Sequence, residues 1–308
     1  MSNKVFRVIL TLFIGFMSML FYSCMFTGIE HTGHIKLSKE DEMALKTVSS
    51  EDRLMEQLQD SSIEYWRVGK SFLGASERVG LIFVSAPDNP YGKTIFYKGY
   101  EHVTTPLGKD AINVLFEDSL GRTYIYQKEK LQDTPFFTSD LPMLIDMDLV
   151  EKAGKILNGK TLWPRTRFWD SPTDYNSAIT ATQLLPVEII SILPGTADFP
   201  LRAVFKDNEG RRGSLVFNPS PKSSRSFSSQ FYIADPRESY KNITDEVWKE
   251  ICNGRLSLGM TKQEARLSMG SPDEVESGHD YSKLIEIWRY SNGTFMRFED
   301  GLLVYFRK

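Results

Sequence analysis

Four short turns decide what this chain can fold into. Asp118 to Gly121 and Asp207 to Gly210 each end one extended run, Asn113 to Glu117 and Arg202 to Lys206, and open another at 122–127 and 212–217. Asn292-Gly293 and Asp300-Gly301 stand in the same way between apolar runs near the C-terminus. Aspartate and asparagine open such turns through their own backbone, and glycine supplies the positive φ that completes them. A chain punctuated like this folds back on itself as antiparallel hairpins.

The first two hairpins lie in stretches that resemble each other. One holds Gly92-Lys93-Thr94-Ile95-Phe96 and then 113–121; the other holds Gly159-Lys160-Thr161-Leu162-Trp163 and then 202–210. In both, an aromatic strand end leads into Asp, two turn residues, Gly and a return strand, which reads as an internal duplication. The second stretch carries extra residues around 170–181. Each has about five short strands in ~60 residues, a size suited to a small closed barrel. Closure would leave no open hydrogen-bonding edge. Helices are expected to start near Ser38 and near Ser50, the latter packing on the first β unit, and a further helix near 147–157 joins the copies. The Pro- and Ser-rich stretch 218–229 reads as part of a linker.

The N-terminus carries an address. Lys4 and Arg7 precede an uncharged run from Val8 to Tyr22, followed by Ser23 and Cys24. The run falls short of the ~20 residues a spanning helix needs, and its parts are those of a secretory signal. Leu20-Phe21-Tyr22-Ser23-Cys24 resembles the bacterial lipobox. That resemblance implies cleavage before Cys24 and acylation of its thiol and amine. With about 0.8 kcal/mol for each buried methylene, several palmitate-sized chains make a durable anchor. Position 25 is Met and no acidic run follows. By the sorting rules of such lipoproteins, this implies an outer-membrane protein facing the periplasm.

Composition narrows the possibilities. The chain has 308 residues, 41% hydrophobic and 25% charged, with formal charge −3. Loss of Lys4 and Arg7 would leave 35 basic against 40 acidic residues, or −5. Nucleic acid is therefore not an expected partner, since binding it calls for a basic surface. With Cys24 lipidated, Cys252 has no partner, and no disulfide or cysteine metal site is available within one chain. His31-Thr32-Gly33-His34 offers too few ligands for a metal. Gly92-Lys93-Thr94 and Gly159-Lys160-Thr161 lack the glycine spacing of a phosphate loop and read as strand starts. No histidine has a recognisable nucleophile context, and no carboxylate pair is legible. No cofactor and no catalytic or metal residue is nominated. One aromatic and basic cluster, Trp163, Arg165, Arg167, Trp169 and Tyr175, is the candidate binding surface, suited to sugar rings or a peptide; the competing account of the same residues is barrel core plus surface loop.

The last stretch is the most explicit. Thr244 can cap a helix that ends at Asn253-Gly254. Thr261-Lys262-Gln263-Glu264 is a capping box for a second helix that stops at Gly270. Strands are expected at 284–290, 294–298 and 302–306. Ile251, Gly254, Leu258-Gly259-Met260-Thr261, Glu264-Ala265-Arg266, Met269-Gly270-Ser271-Pro272, Trp288, Tyr290, Asn292-Gly293 and Phe298-Glu299-Asp300-Gly301 resemble the SmpA/OmlA (BamE-like) domain. The two β stretches likewise look like the SH3-like barrels of bacterial envelope proteins. The expected fold is α+β: two small β-rich SH3-like modules followed by a C-terminal α-α-β-β-β two-layer BamE-like domain. The expected segments are a signal peptide at 1–23, a tether at 24–37, and a helix plus first β module at 38–137. A second β module at 138–217, a linker at 218–242 and the BamE-like domain at 243–308 complete the chain. The expected role is noncatalytic: a membrane-held scaffold that binds envelope proteins, with peptidoglycan or glycan as the alternative partner.

Overall fold

The computed structural model describes residues 49–58, 66–129, 141–172, 177–280 and 282–308. Helix α1 (Ser50–Glu56) comes first, its N-terminus capped by the Ser49 hydroxyl, which accepts from the Asp52 amide. The first sheet follows: β1 (Ser71–Gly74), β2 (Phe83–Ser85), β3 (Thr94–Thr104), β4 (Asp110–Asp118), β5 (Thr123–Glu129) and β6 (Leu144–Asp146). Helix α2 (Met147–Leu157) leads into the second sheet. That sheet contains β7 (Thr161–Pro164), β8 (Phe168–Asp170), β9 (Ala178–Thr180), β10 (Val187–Pro194), β11 (Leu201–Asp207), β12 (Arg212–Phe217) and β13 (Phe231–Tyr232). Short helices α3 (Phe227–Gln230) and α4 (Pro236–Ser239) flank β13.

The strand orders are β2-β5-β4-β3-β1-β6 and β13-β7-β10-β11-β12-β8-β9. Taken from opposite ends they are the same order, with β9 as an addition to the second copy. The hydrogen bonds repeat as well. The Gly69 amide donates to Tyr97 and the Tyr97 amide returns to Lys70; Gly159, Ile189 and Lys160 make the same pair of bonds. Both copies have a β-bulge two residues on, between Tyr97 and Gly99 and between Ile189 and Ser191. In both turns an aspartate Oδ1 accepts two amides and its Oδ2 binds an arginine, Asp118 with Arg122 and Asp207 with Arg211. The counterpart of Gly159-Lys160-Thr161 is therefore Gly69-Lys70-Ser71, not Gly92-Lys93-Thr94. The latter tripeptide starts β3, two strands too late.

The structure corrects the expected fold class. The protein is mostly β, and the two copies are curled half-barrels, not closed SH3-like barrels. In the first, β2 and β6 remain at opposite ends of the sheet. Bulges bend the sheet, as an extra residue in one strand does, but β6 turns into α2 after three residues and cannot close it. Strand β6, at 144–146, belongs to this first sheet, on the far side of the boundary expected at 137/138.

The C-terminal region is corrected too. Helices α5 (Asp245–Cys252) and α6 (Lys262–Met269) form, with the Thr244 cap and the Thr261–Glu264 capping box in place. Four strands follow, however: β14 (Glu274–Asp280), β15 (Lys283–Arg289), β16 (Phe295–Glu299) and β17 (Leu302–Arg307), in that order across the sheet. The α-α-β-β-β BamE-like layout is not seen. The missed strand, Glu-Val-Glu-Ser-Gly-His-Asp, has no apolar alternation because it is a charged edge strand.

Three cores hold this together. Phe72, Ile95, Tyr97, Val114, Phe116 and Tyr124 fill the first half-barrel. The second core gathers Trp169, Leu201, Phe205, Leu215 and Phe217 with Val150, Ala153 and Leu157 of α2. Met55 of α1 and Leu58 join this second core, not that of the first β unit as expected. Phe227 and Phe231, within the expected linker at 218–242, are fully buried in it. Ile251, Cys252, Ala265, Trp288, Met296, Phe298 and Leu303 make the third.

Asp146 joins the first two. Its Oδ2 lies 2.8 Å from Lys70 Nζ, and the Lys70 side chain is 2% exposed. Its Oδ1 accepts the Asp148 amide and so caps α2, the helix that covers the second sheet. Burial pulls the Lys70 ammonium below its ordinary value, while the bond to Asp146 holds it up. Lysine at the equivalent position in the second copy, Lys160, is exposed. Removing one partner of a buried ion pair strands the other. Lys70→Ala should therefore lower the unfolding free energy by about 3–5 kcal/mol. Lys160→Ala should change it by no more than ~0.5 kcal/mol. Urea unfolding of the two variants checks this, and equal effects would contradict it.

Candidate functional site

The aromatic and basic cluster does not form one surface. Trp169 is 2% exposed. Its ring meets Phe205 edge-on at 5.0 Å and its Nε1 donates to the Thr166 carbonyl. It occupies the space over Gly213, where an added Cβ would come within 2.7 Å of the indole. Trp169 thus takes the place that Tyr124 fills in the first copy and presents no face to a sugar ring. Arg167 donates to the Asn253 carbonyl at the end of α5. Arg165 lies 4.2 Å over the Tyr232 ring and donates to the Ser228 carbonyl. Half-buried Trp163 stands opposite Tyr232 in the β7–β13 register. Tyr175 and Cys24 lie outside the described residues.

Arg167 belongs instead to a clamp that the sequence reading missed. Gln183 lies in the added segment of the second copy, just past β9. Its Nε2 donates to the carbonyls of Ile251, Leu267 and Ser268, which end α5 and α6. Helix ends leave carbonyls without intrahelical partners, and these three find a buried donor here. The Gln183 amide also donates to the Cys252 carbonyl. Leu184 follows with φ +60 and is buried in the third core. A left-handed leucine is unfavourable by about 1–2 kcal/mol, so its burial must outweigh that cost. The sequence signal was the extra length at 170–181.

A second unforeseen cluster joins two carboxylates in the first copy. Asp88 accepts from Tyr124 Oη at 2.6 Å, Lys93 Nζ at 2.6 Å and Arg122 Nη1 at 2.7 Å. Asp118 accepts from Arg122 Nε and, at 3.2 Å, from the same Tyr124 hydroxyl. The bonds from Lys93 and then Tyr124 hold the Asp88 carboxyl below its ordinary value. Burial acts to raise Asp118, but bonds from the Arg122 side chain and from the Arg122 and Leu120 amides outweigh it and bring it to about 2. Burial, then Asp88, pushes the Tyr124 phenol up. Both carboxylates stay ionised near neutrality, whereas a general acid needs a raised value. The cluster staples the loop before β3 to the β4–β5 turn.

The remaining candidate is the outer face of the C-terminal sheet. Side chains alternate across a strand. Trp288, Met296, Phe298 and Leu303 point toward α5 and α6, and Ile285, Ile287, Phe295, Arg297, Glu299 and Tyr305 point away. With Val304 they line a shallow, open depression of about 760 Å³. Phe295 and Tyr305 meet at a centroid distance of 6.1 Å. Lys283 and Arg297 both bind Glu299, at 2.7 and 3.0 Å, and Arg289 binds Glu276 at 2.6 Å. The middle of the face is mixed: Arg297 and Glu299 of the inner strand β16 lie among Ile285, Ile287, Phe295 and Tyr305, apolar area with polar groups that suits contact with another molecule.

Among the described residues, no cluster of three or more His, Cys, Asp or Glu is arranged to hold a metal ion. Among them, too, no helix is long and apolar enough to cross a membrane. No family model matches the chain, and neither the curated proteins nor the solved structures hold a match.

The aspartate turns generate a pH prediction. Asp88, Asp118 and Asp207 all have carboxyls below the ordinary value of 3.8 in the fold. A depressed value adds stability that is present above 3.8 and is lost as pH falls through the folded value. Melting temperature should therefore fall between pH 4 and about 2. Asp118→Asn should melt lower at pH 7 and show a shallower acid decline. Circular-dichroism melts check this, and an unchanged slope would contradict it.

Proposed function

We propose that this chain is a lipid-tethered, noncatalytic envelope protein that binds other proteins through the outer face of its C-terminal sheet. The observation that carries the reading is that face: Ile285, Ile287, Phe295 and Tyr305 around a shallow depression, on the side of the sheet away from its own helices. A sheet normally buries one face, and apolar area left open on the second marks a contact surface.

The tether reading rests on Lys4, Arg7, the uncharged run and Ser23-Cys24, and Met25 with no acidic run after it supports an outer-membrane position facing the periplasm. Cys252 is buried, and burial pushes its thiol up to about 11, which keeps it unreactive. Burial of Trp169 weighs against the glycan-binding alternative, which needs that ring exposed.

Two measurements test the proposal. Cys24→Ala should lose labelled fatty acid and leave the detergent phase. A photo-crosslinking residue at Tyr305 should give protein adducts in the membrane fraction, and one at the exposed Lys155 of α2 should not. Unchanged partitioning of Cys24→Ala would overturn the tether. Equal adducts at both positions, or none, would overturn the contact surface.

A further inference from the structure

Three cations meet at the end of α5, and little answers their charge. Arg167, in the loop between β7 and β8, donates from Nη1 to the Asn253 carbonyl at 3.2 Å. Lys308, just past β17, donates from Nζ to the Gly254 carbonyl at 3.1 Å. Arg255 is the next residue and is exposed. Gly254 makes the close approach possible: a Cβ added there would stand 2.8 Å from Arg167 Nε and 3.0 Å from its Cζ. The same guanidinium lies 4.8 Å over the ring of Phe168, which is 56% exposed. A carbonyl and a ring together hold it in place before any ligand arrives. The three charges are close enough to feel one another. Burial, then Arg167 and Arg255, pull the Lys308 ammonium below its ordinary value, and Glu250 is the one carboxylate that holds it up.

Arg122, Arg211, Arg237 and Arg289 each bind a carboxylate. Among the described residues, Arg167, Arg255 and Lys308 bind none. A helix C-terminus attracts cations, but it carries only about half an elementary charge. With Glu250 counted as well, roughly one and a half positive charges are left over. Donors are left over too. Arg167 and Lys308 each give one to a helix-end carbonyl, and the side chain of Arg255 gives none among the described residues.

We infer that this corner binds a phosphate monoester or free phosphate as its dianion. Such a group carries about −1.5 to −2 charges at pH 7 and three acceptor oxygens. That charge matches what the cations leave unanswered. Two planar forks and one ammonium also suit three oxygens on one centre. A carboxylate or a phosphodiester brings a single charge and neutralises less of the cluster. The chemistry is the same for a phosphate in solution and for one on a lipid headgroup. None of the residues of the outer face takes part, so the two surfaces stand or fall separately.

The experiment titrates the full chain in mild detergent with inorganic phosphate and follows binding by calorimetry. The wild type should bind, and added salt should weaken it. Arg255→Gln and Lys308→Gln should each weaken binding roughly tenfold or more, the loss expected of a hydrogen bond to a charged group. Lys160→Gln removes an exposed lysine of the second sheet and should leave binding unchanged. Phosphate should also raise the melting temperature of the wild type and not that of Arg255→Gln, whose melt without phosphate should match the wild type. Lipid placed in the micelles then reads the source. Phosphatidic acid, a monoester, that binds more tightly than inorganic phosphate and displaces it marks a headgroup site; one that binds no better marks a site for the soluble ion. Phosphatidylglycerol, a diester, should bind more weakly than phosphatidic acid. A wild type that takes up neither inorganic phosphate nor phosphatidic acid overturns the inference. So does an equal loss in Lys160→Gln, or a diester held as tightly as the monoester.

Discussion

The ion pair between Lys70 and Asp146 is the contact on which the rest of the arrangement depends. It is made inside the protein, at the point where the first sheet ends and the helix of the second begins. One oxygen of Asp146 holds β1 through Lys70, and the other holds the first turn of α2. A buried charge is tolerated only with its partner in place, so the pair admits one geometry between the strand and the helix. The second copy has no such device. Its equivalent lysine faces water and the equivalent of Asp146 is Ile233, whose amide donates to Glu51. Two copies of one topology have thus kept the same backbone bonds and diverged where they meet their neighbours.

The same division appears at the other junction. The first copy has no counterpart of β9 and the loop behind it. In the second, this addition carries Gln183 and Leu184 into the C-terminal region, where the amide collects the carbonyl ends of both helices. The helices are fixed from one side by that clamp and from the other by Trp288 and Phe298. The helices thus cover one side of their sheet and leave Ile285, Ile287 and Phe295 on the other.

Much of this was legible in the sequence, and the limits were physical. The Asp-x-x-Gly turns were readable because aspartate and positive-φ glycine have few other uses at that spacing. The capping box at Thr261 and the helix after Asp146 were readable for similar local reasons. Closure of the half-barrels was not, since it depends on which distant strands pair. β14 was missed because an exposed edge strand carries charge in place of alternation. The linker at 218–242 was misread because Phe227 and Phe231 are sparse among polar residues, yet both reach the core. Trp169 could be read as barrel core or as a binding platform, and Gly213 on the neighbouring strand shows that its ring has a place inside. The outer face escaped notice because Ile285, Ile287, Phe295 and Tyr305 read as ordinary strand residues until the helices are seen to take the other side.

The central claim is that the open face of the C-terminal sheet is where this protein meets a partner. Hydrogen exchange of the membrane-held protein, with and without its neighbouring envelope proteins, tests it most directly. Their presence should slow exchange at β15, β16 and β17 while β3, β4 and β5 keep their rates. Rates in the C-terminal sheet that do not depend on those neighbours would contradict it.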